Sequence, residues 1–332
     1  MKRALKGINV GGWLVAERWM TPALFKGVEG GGELALSREL GVAEARKRLT
    51  QHRDKFITEK DFKDIKQLGF DFVRLPIGYW LFDGKDDFID GEHYIDKAFT
   101  WAKQYDLGII LDFHGLQGSQ NGRDHSGQVG DVRLYKADNV SRALSTVKYM
   151  SQKYGQHSQL LGFELINEPH IRWCLRRLLS YYDAAYETAA VHLGDDVKII
   201  VSDAFHPRRL ARVLKRRSYG DRIVLDVHLY QVFSRRDKAM TLDQHIRMAS
   251  ETWEELVDDI SKQIPVMVGE WSAALPGDAY SGVEVKRRAQ ARRYYFAQQQ
   301  AFENTAWAHA YWTYKAPGCG LWDWQTAQSY LD

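Results

Sequence analysis

The chain has little cysteine: Cys174 and Cys319 are the only two in 332 residues. That is too few for a disulfide framework, and both are expected as free thiols. An excess of charge of one sign is also missing. Forty-six Lys+Arg against 43 Asp+Glu leave a formal +3, which removes the electrostatic case for nucleic acid or an anionic membrane surface as partner. No apolar run approaches the ~20 residues of a bilayer span. Met1-Lys2-Arg3 is basic, but Leu5–Val15 is interrupted by glycines and lacks the apolar core of a signal peptide. As given, the chain is expected in the cytoplasm, or outside the cell if a leader has been removed.

Several chemical signatures are absent as well. No G-x-G-x-x-G follows a strand pattern and there is no P-loop, so neither a dinucleotide fold nor a phosphate cradle is indicated. No G-x-S-x-G elbow offers an acyl-transfer serine. The histidines are scattered singly, without metal-ligand spacing, so no metal and no cofactor is expected. No linker, repeat or low-complexity stretch divides the chain, and residues 1–332 are expected as one domain.

What is present is an alternation. Short apolar runs at Ala4–Val10, Phe70–Leu75, Gly108–Asp112, Leu161–Ile166, Val197–Val201, Ile223–Val227, Val266–Val268 and Ala306–Tyr311 read as strands. Helical patterns separate them, over Glu59–Leu68, Glu92–Gln104, Asn139–Tyr154, Arg172–Leu193, Pro207–Lys215, Leu242–Ile260 and Val285–Phe302. A glycine-rich loop and a helix over Ser37–Thr50 form an insertion around residues 26–56. Eight strands alternating with helices predict an α/β fold, a single closed (β/α)₈ barrel with a parallel sheet.

In such a barrel the carboxyl ends of the strands face one another. They carry Trp13 and Glu17, Arg74, His114, Asn167 and Glu168, Asp203 and His206, His228, Tyr230 and Phe233, Glu270 and Trp271, and Trp312. The set is acidic, polar and aromatic, and 11 tryptophans in the whole chain suit either sugar stacking or a large core. Two strands end abruptly in a glutamate, at Asn167-Glu168-Pro169 and Gly269-Glu270-Trp271. One such glutamate reads equally as an ion-pair partner or a catalyst. A pair fits glycosidic bond cleavage, where one carboxyl protonates the leaving oxygen and the other attacks the anomeric carbon from about 5–5.5 Å away. Arg74 is expected to keep the attacking carboxylate ionised, and Asn167 to donate to the sugar's 2-hydroxyl.

Asn-Glu-Pro after the fourth strand and Glu-Trp after the seventh resemble glycoside hydrolase family 5, of the retaining 4/7 clan. Lys6–Val15, Thr21–Phe25, Val73–Trp80, Asp112–Gly115, Gly118–Gly122, Asp226–Phe233 and Trp322–Trp324 are similar to the exo-β-1,3-glucanases of that family. The resemblance implies that Glu168 is the acid/base and Glu270 the nucleophile. It implies that Arg74, His114, Asn167, His228, Tyr230 and Trp312 surround the terminal sugar, with Tyr230 beside the nucleophile and Trp312 as stacking floor. Glu17 and Asp124 would bind outer hydroxyls, closing the pocket to one glucose, and Phe233 would contact the incoming chain. The implied activity releases glucose from the non-reducing ends of β-1,3-glucans. Alternatives within the family are β-1,6-linkages, aryl or steryl glucosides, or internal β-glucan bonds; outside it, a non-catalytic carbohydrate-binding barrel. The expected partner is a β-glucan or β-glucoside, and the expected state a monomer. Two positions depart from the family pattern: Arg123 stands where a phenylalanine is frequent, and His125 where an asparagine is usual.

Overall fold

The computed structural model describes residues 3–84, 87–170, 175–217 and 219–331. Eight strands close into a barrel in chain order: β1 Leu5–Asn9, β2 Phe72–Gly78, β3 Gly108–Gly115, β4 Leu160–Glu164, β5 Lys198–Ser202, β6 Ile223–Leu229, β7 Val266–Trp271 and β8 Ala308–Tyr311. Every neighbouring pair is parallel, including β1 with β8. This is the expected (β/α)₈ architecture. The sheet is buried on both faces, which is why its strands read as nearly continuous apolar runs. Phe72, Ile110, Ile200, Val224, Met267, Ala308 and Ala310 fill the barrel's interior. A larger shell of apolar side chains packs between the barrel and its surrounding helices.

The strand and helix boundaries differ from expectation in instructive ways. β2 runs through Pro76 to Gly78 instead of stopping before the proline. The Arg74 carbonyl faces β1 and accepts the Val10 N–H at 3.0 Å. Pro76, two residues on, faces the same side beyond the last β1–β2 pair at Asn9 and Arg74, so its missing N–H interrupts no ladder. β4 ends at Glu164 rather than Ile166. From there the pairing becomes irregular, the Leu165 N–H donating to Ile200 O on β5 and the Asn167 N–H to Phe113 O on β3, both at 2.9 Å.

The helix expected over Ser37–Thr50 is two, Glu33–Leu40 and Val42–Phe56, broken at Gly41, whose φ of 81° is accessible to glycine at little cost. The stretch Leu242–Ile260 contains a wider turn over Met248–Trp253 between two α-helical pieces. The helix Glu59–Gln67 begins as anticipated: the Thr58 N–H donates to the Asp61 carboxylate at 2.7 Å. The helix expected over Arg172–Leu193 is described from Leu175 to Ala190. Cys174 lies outside the described residues, and Cys319 is a free, half-buried thiol. Among the described residues no helix is long and apolar enough to cross a membrane.

The two helices after β1 do positional work at the barrel mouth. Buried Glu33 accepts from Arg53 Nη2 at 2.9 Å, from Trp80 Nε1 at 2.9 Å and from the Ala16 N–H at 2.9 Å. The residue next to Ala16 is Glu17. The Leu34 N–H donates to Gly127 O at 3.0 Å, bracing the turn that carries Asp124.

Candidate active site

The barrel's upper interior is polar and deeply buried. Arg74, on β2, is wholly buried and is clasped on all sides. Its Nε and Nη2 donate to Glu164 at 2.9 and 3.2 Å, its Nη1 to Asn9 Oδ1 at 3.0 Å and to Glu270 Oε1 at 3.1 Å, and its Nη2 to Asn167 Oδ1 at 2.9 Å. Asp112 Oδ2 lies 3.1 Å from the same guanidinium and Asp226 Oδ2 3.8 Å. One cation thus faces four carboxylates. Burial, resisted by Arg74 and reinforced by Asp112 and Asp226, pushes the Glu164 carboxyl well above its ordinary range. Glu164, Asp112, Asp226 and Asn9 were given no role from the sequence. The available signal was a charge embedded in an otherwise apolar strand.

Glu270 reaches the mouth through a bulge. The β6–β7 register shifts between Val227 and His228, so that His228 pairs with Glu270. Gly269 sits at that shift. Its N–H donates to Asp226 Oδ1 at 2.7 Å and its carbonyl accepts from Asn9 Nδ2 at 2.8 Å. A Cβ on Gly269 would lie 2.2 Å from Asp226 Oδ2, so the close approach requires glycine. Glu270 Oε2 accepts from Tyr230 Oη at 2.9 Å. Burial raises the Glu270 carboxyl, offset in part by His228 and Arg74 and reinforced by the charge of Glu168.

Glu168 follows β4 with φ of 41°, a conformation costing a non-glycine residue roughly 1–3 kcal/mol that the surroundings must impose. They do. Gln120 Nε2 donates to Asn167 O at 3.0 Å, Asn121 Nδ2 to Glu168 O at 3.1 Å, and the His170 N–H to Gln120 O at 3.0 Å. The Glu168 side chain then meets two histidines: Oε1 is 2.8 Å from His228 Nδ1, and Oε2 is 3.5 Å from His125 Nε2.

His228 is the hinge of the constellation. Its Nδ1 also lies 3.4 Å from Glu270 Oε2, and its Nε2 is 3.2 Å from Asp226 Oδ2. Burial disfavours its charged form, but Glu270, Asp226 and Glu168 outweigh that and hold the imidazole well above its usual pKa. Glu168 is correspondingly held low: burial raises it, but the His228 hydrogen bond and the charges of His125, His228 and His114 overcome the burial. In the free protein the proton between them therefore resides on His228. His125 is driven the other way, to about 4, by burial and by His114, against the pull of Glu168.

A cavity of about 650 Å³ opens over these groups, lined among others by Glu17, His114, Asp124, Glu168, His228, Tyr230, Phe233, Glu270 and Trp312. Arg74 and Asn167 stand behind its wall, fully buried, with Asn167 Nδ2 3.4 Å from His114 Nε2. The residues to which the resemblance gave a catalytic or sugar-binding role are thus brought to one end of the barrel. Trp312, whose N–H donates to Trp271 O at 2.7 Å, stacks on His114 at 5.7 Å. Burial and the charge of Asp124 push the Glu17 carboxyl well up, opposed by the Trp19 Nε1–H bond at 2.8 Å.

Three strand-end residues lie elsewhere. Trp13 is buried outside the cavity, donating from Nε1 to Arg53 O at 2.8 Å and stacking on Trp101. Trp271 packs among Tyr295, Phe302, His309 and Tyr311 on the helix side of the sheet. His206 is exposed at the start of the helix Pro207–Leu214. Asp203 is buried near the cavity, where burial, against the Phe205 N–H bond, takes its carboxyl to about 7. Trp19, Phe205 and Trp322 line the cavity as well and had no role assigned from the sequence.

Glu168, His228 and Glu270 could offer three converging ligand atoms to a cation, as could Glu164, Asp226 and His228. Both nitrogens of His228 already face carboxylates, and the Glu270 oxygens accept from Arg74 and Tyr230, so protons engage the lone pairs a cation would need.

A model of the cellulase family, glycosyl hydrolase family 5, matches residues 41–316. The chain belongs to glycosyl hydrolase family 5. It is therefore a retaining glycosidase by family, in agreement with the architecture. The chain is 32% identical to a probable glucan 1,3-beta-glucosidase A of Aspergillus niger, covering 97% of this chain and 85% of that protein. It is 31% identical to glucan 1,3-beta-glucosidase 2 of Wickerhamomyces anomalus, covering 98% and 86%. Among solved structures, the rutinosidase from Aspergillus niger superposes with a TM-score of 0.82 at 20% identity, over 100% of this chain and 98% of that one; this likeness is one of fold.

Proposed function

We propose that this family 5 enzyme is an exo-acting β-glucosidase that removes glucose from the non-reducing ends of β-1,3-linked glucans or oligosaccharides, with Glu168 as acid/base and Glu270 as nucleophile. One observation carries the reading. Oxygens of Glu168 and Glu270 lie within 4.8 Å of one another, joined by His228, in a cavity that Trp312 also lines. That spacing fits direct attack on a sugar, and is shorter than the roughly 6.5–9.5 Å that admits the attacking water of an inverting mechanism.

A glucoside seated on Trp312 presents its anomeric carbon to Glu270, whose other contacts to Arg74 and Tyr230 aim the attacking oxygen. As the C1–O bond breaks, the proton resting on His228 moves across the 2.8 Å contact to Glu168 and from Glu168 to the leaving oxygen, and a glucosyl ester forms on Glu270. Glu168, now ionised, takes a proton from the incoming water, which cleaves the ester and returns the carboxylate. Glu17 and Asp124 supply polar groups for outer hydroxyls at one side of the cavity, which supports a pocket for a terminal unit. The named activities of the two fungal relatives support the β-1,3 linkage.

A time course on laminari-oligosaccharides, with products separated by chromatography, tests the reading. Glucose is expected as the first product from every chain length. Early accumulation of disaccharides or longer fragments without glucose contradicts it.

A further inference from the structure

The cavity's lining is acidic, yet one guanidinium at its edge has no ion-pair partner within 4.0 Å among the described residues. Arg123 is exposed and lines the cavity. Its backbone is fixed: the Arg123 N–H donates to Asn121 Oδ1 at 3.0 Å, and its carbonyl accepts from Ser126 Oγ at 2.6 Å. Its head is not fixed. Among the described residues no side chain or carbonyl takes a hydrogen bond from the guanidinium, and the adjacent Asp124 carboxylate is turned to the His125 N–H at 3.0 Å. Two phenylalanines line the same cavity with much of their rings in water, Phe205 at 52% and Phe233 at 71% exposure. Phe233 is backed by Tyr230 at 5.7 Å and Trp322 at 6.2 Å between ring centroids. Exposed aromatic faces have area to give to a flat partner. A guanidinium adds planar, charge-assisted recognition of a carboxylate or another oxyanion.

We propose that the leaving-group side of the cavity is a subsite for flat aglycones bearing an anionic group, selected by Arg123 and packed against Phe205 and Phe233. This rests on the β-glucosidase reading above and narrows it. A neutral sugar as leaving group would use the phenylalanines and leave the cation idle, whereas an aromatic carboxylate uses both.

The test compares para-carboxyphenyl β-glucoside with its neutral methyl ester, as the ratio of kcat/KM for acid over ester, in the unaltered chain, Arg123→Gln and Arg123→Lys. Using the ratio cancels effects on folding and on the glucose side. The ratio is expected to fall about 1.4- to fivefold in Arg123→Gln, the range of an exposed ion pair. It should be partly retained in Arg123→Lys, and the difference should shrink in about 0.5 M NaCl. Equal ratios in the unaltered chain and Arg123→Gln, with both glucosides turned over, overturn the subsite alone. Turnover of neither glucoside by the unaltered chain overturns the β-glucosidase reading and the subsite with it.

Discussion

His228 Nδ1 stands 2.8 Å from Glu168 Oε1 and, from the same nitrogen, 3.4 Å from Glu270 Oε2. One proton on that nitrogen serves both proposed catalytic carboxylates. The imidazole is held well above its ordinary pKa, so the proton is present at low pH and is lost as pH rises through the raised value. Activity should therefore fail on the alkaline side as the His228–Glu168 pair deprotonates. In His228→Gln the proton has only Glu168 to sit on. The alkaline limb of kcat/KM is expected to move to lower pH, with kcat down roughly 10²–10⁴-fold, the usual worth of positioned proton transfer. An unmoved limb would remove His228 from the proton's path.

Arg74 donates to two buried carboxylates, Glu164 and Glu270, and a third, Asp112, lies 3.1 Å from its guanidinium. Arg74→Met is expected to cost about 3–5 kcal/mol in urea denaturation, because it strands buried charge. Arg74→Lys should lose less stability, yet it cannot serve Glu164 with two parallel bonds and reach Glu270 as well. Its kcat should fall with the fold retained by circular dichroism.

Gly269→Ala is a backbone test of how Glu270 is aimed. The added carbon would lie 2.2 Å from a buried Asp226 oxygen, and relief must move either Asp226 or the bulge. An overpacking cost of about 1–3 kcal/mol is expected, together with a drop in kcat of the order of 10²-fold from misplacing Glu270. A stable, fully active variant would show that the bulge is not what positions the carboxylate.

How much of this was readable in the residues depended on which side of a strand each faced. The eight strands, the two glutamate-terminated ends and the polar ring of His114, His228 and Tyr230 were legible, because buried parallel strands read as apolar runs that stop where the chemistry begins. Trp271 was misplaced because successive residues of a strand point to opposite faces: with Glu270 in the mouth, Trp271 falls among Tyr295 and Phe302. Trp13 was misplaced because the loop after β1 takes it away from the barrel, to Arg53 and Trp101. Glu164 and Asp226 carried a signal, a charge within an apolar run, but their partner Arg74 is 90 residues from Glu164 in the chain, and only the closed barrel brings them together. The bulge at Gly269 left no trace beyond the glycine itself.

His309 offers a stability test away from the site. It is fully buried, neither ring nitrogen has a hydrogen-bond partner among the described residues, and burial, with Lys6 and Arg3 adding to it, lowers its pKa to about 3. The unfolded chain, with an ordinary histidine, binds a proton below pH ~6.5 that the folded chain refuses. The native state is therefore penalised progressively as pH falls from ~6.5 towards 3, and relieved above that window. His309→Leu removes the penalty. Relative to the unaltered protein, the variant should gain about 2 kcal/mol at pH 5 compared with pH 7, measured by denaturant titration at both values. A difference independent of pH would mean that His309 titrates alike in both states.

The division of labour between Glu168 and Glu270 is most directly tested by azide rescue of Glu270→Ala and Glu168→Ala on an activated β-glucoside, with the glucosyl azide's anomeric configuration read by proton NMR. Double displacement requires that both variants lose several orders of magnitude in turnover, that rescued Glu270→Ala yields the inverted α-azide, and that rescued Glu168→Ala yields the retained β-azide. Wild-type-like turnover in either variant, or the opposite pairing of products, would contradict the assignment.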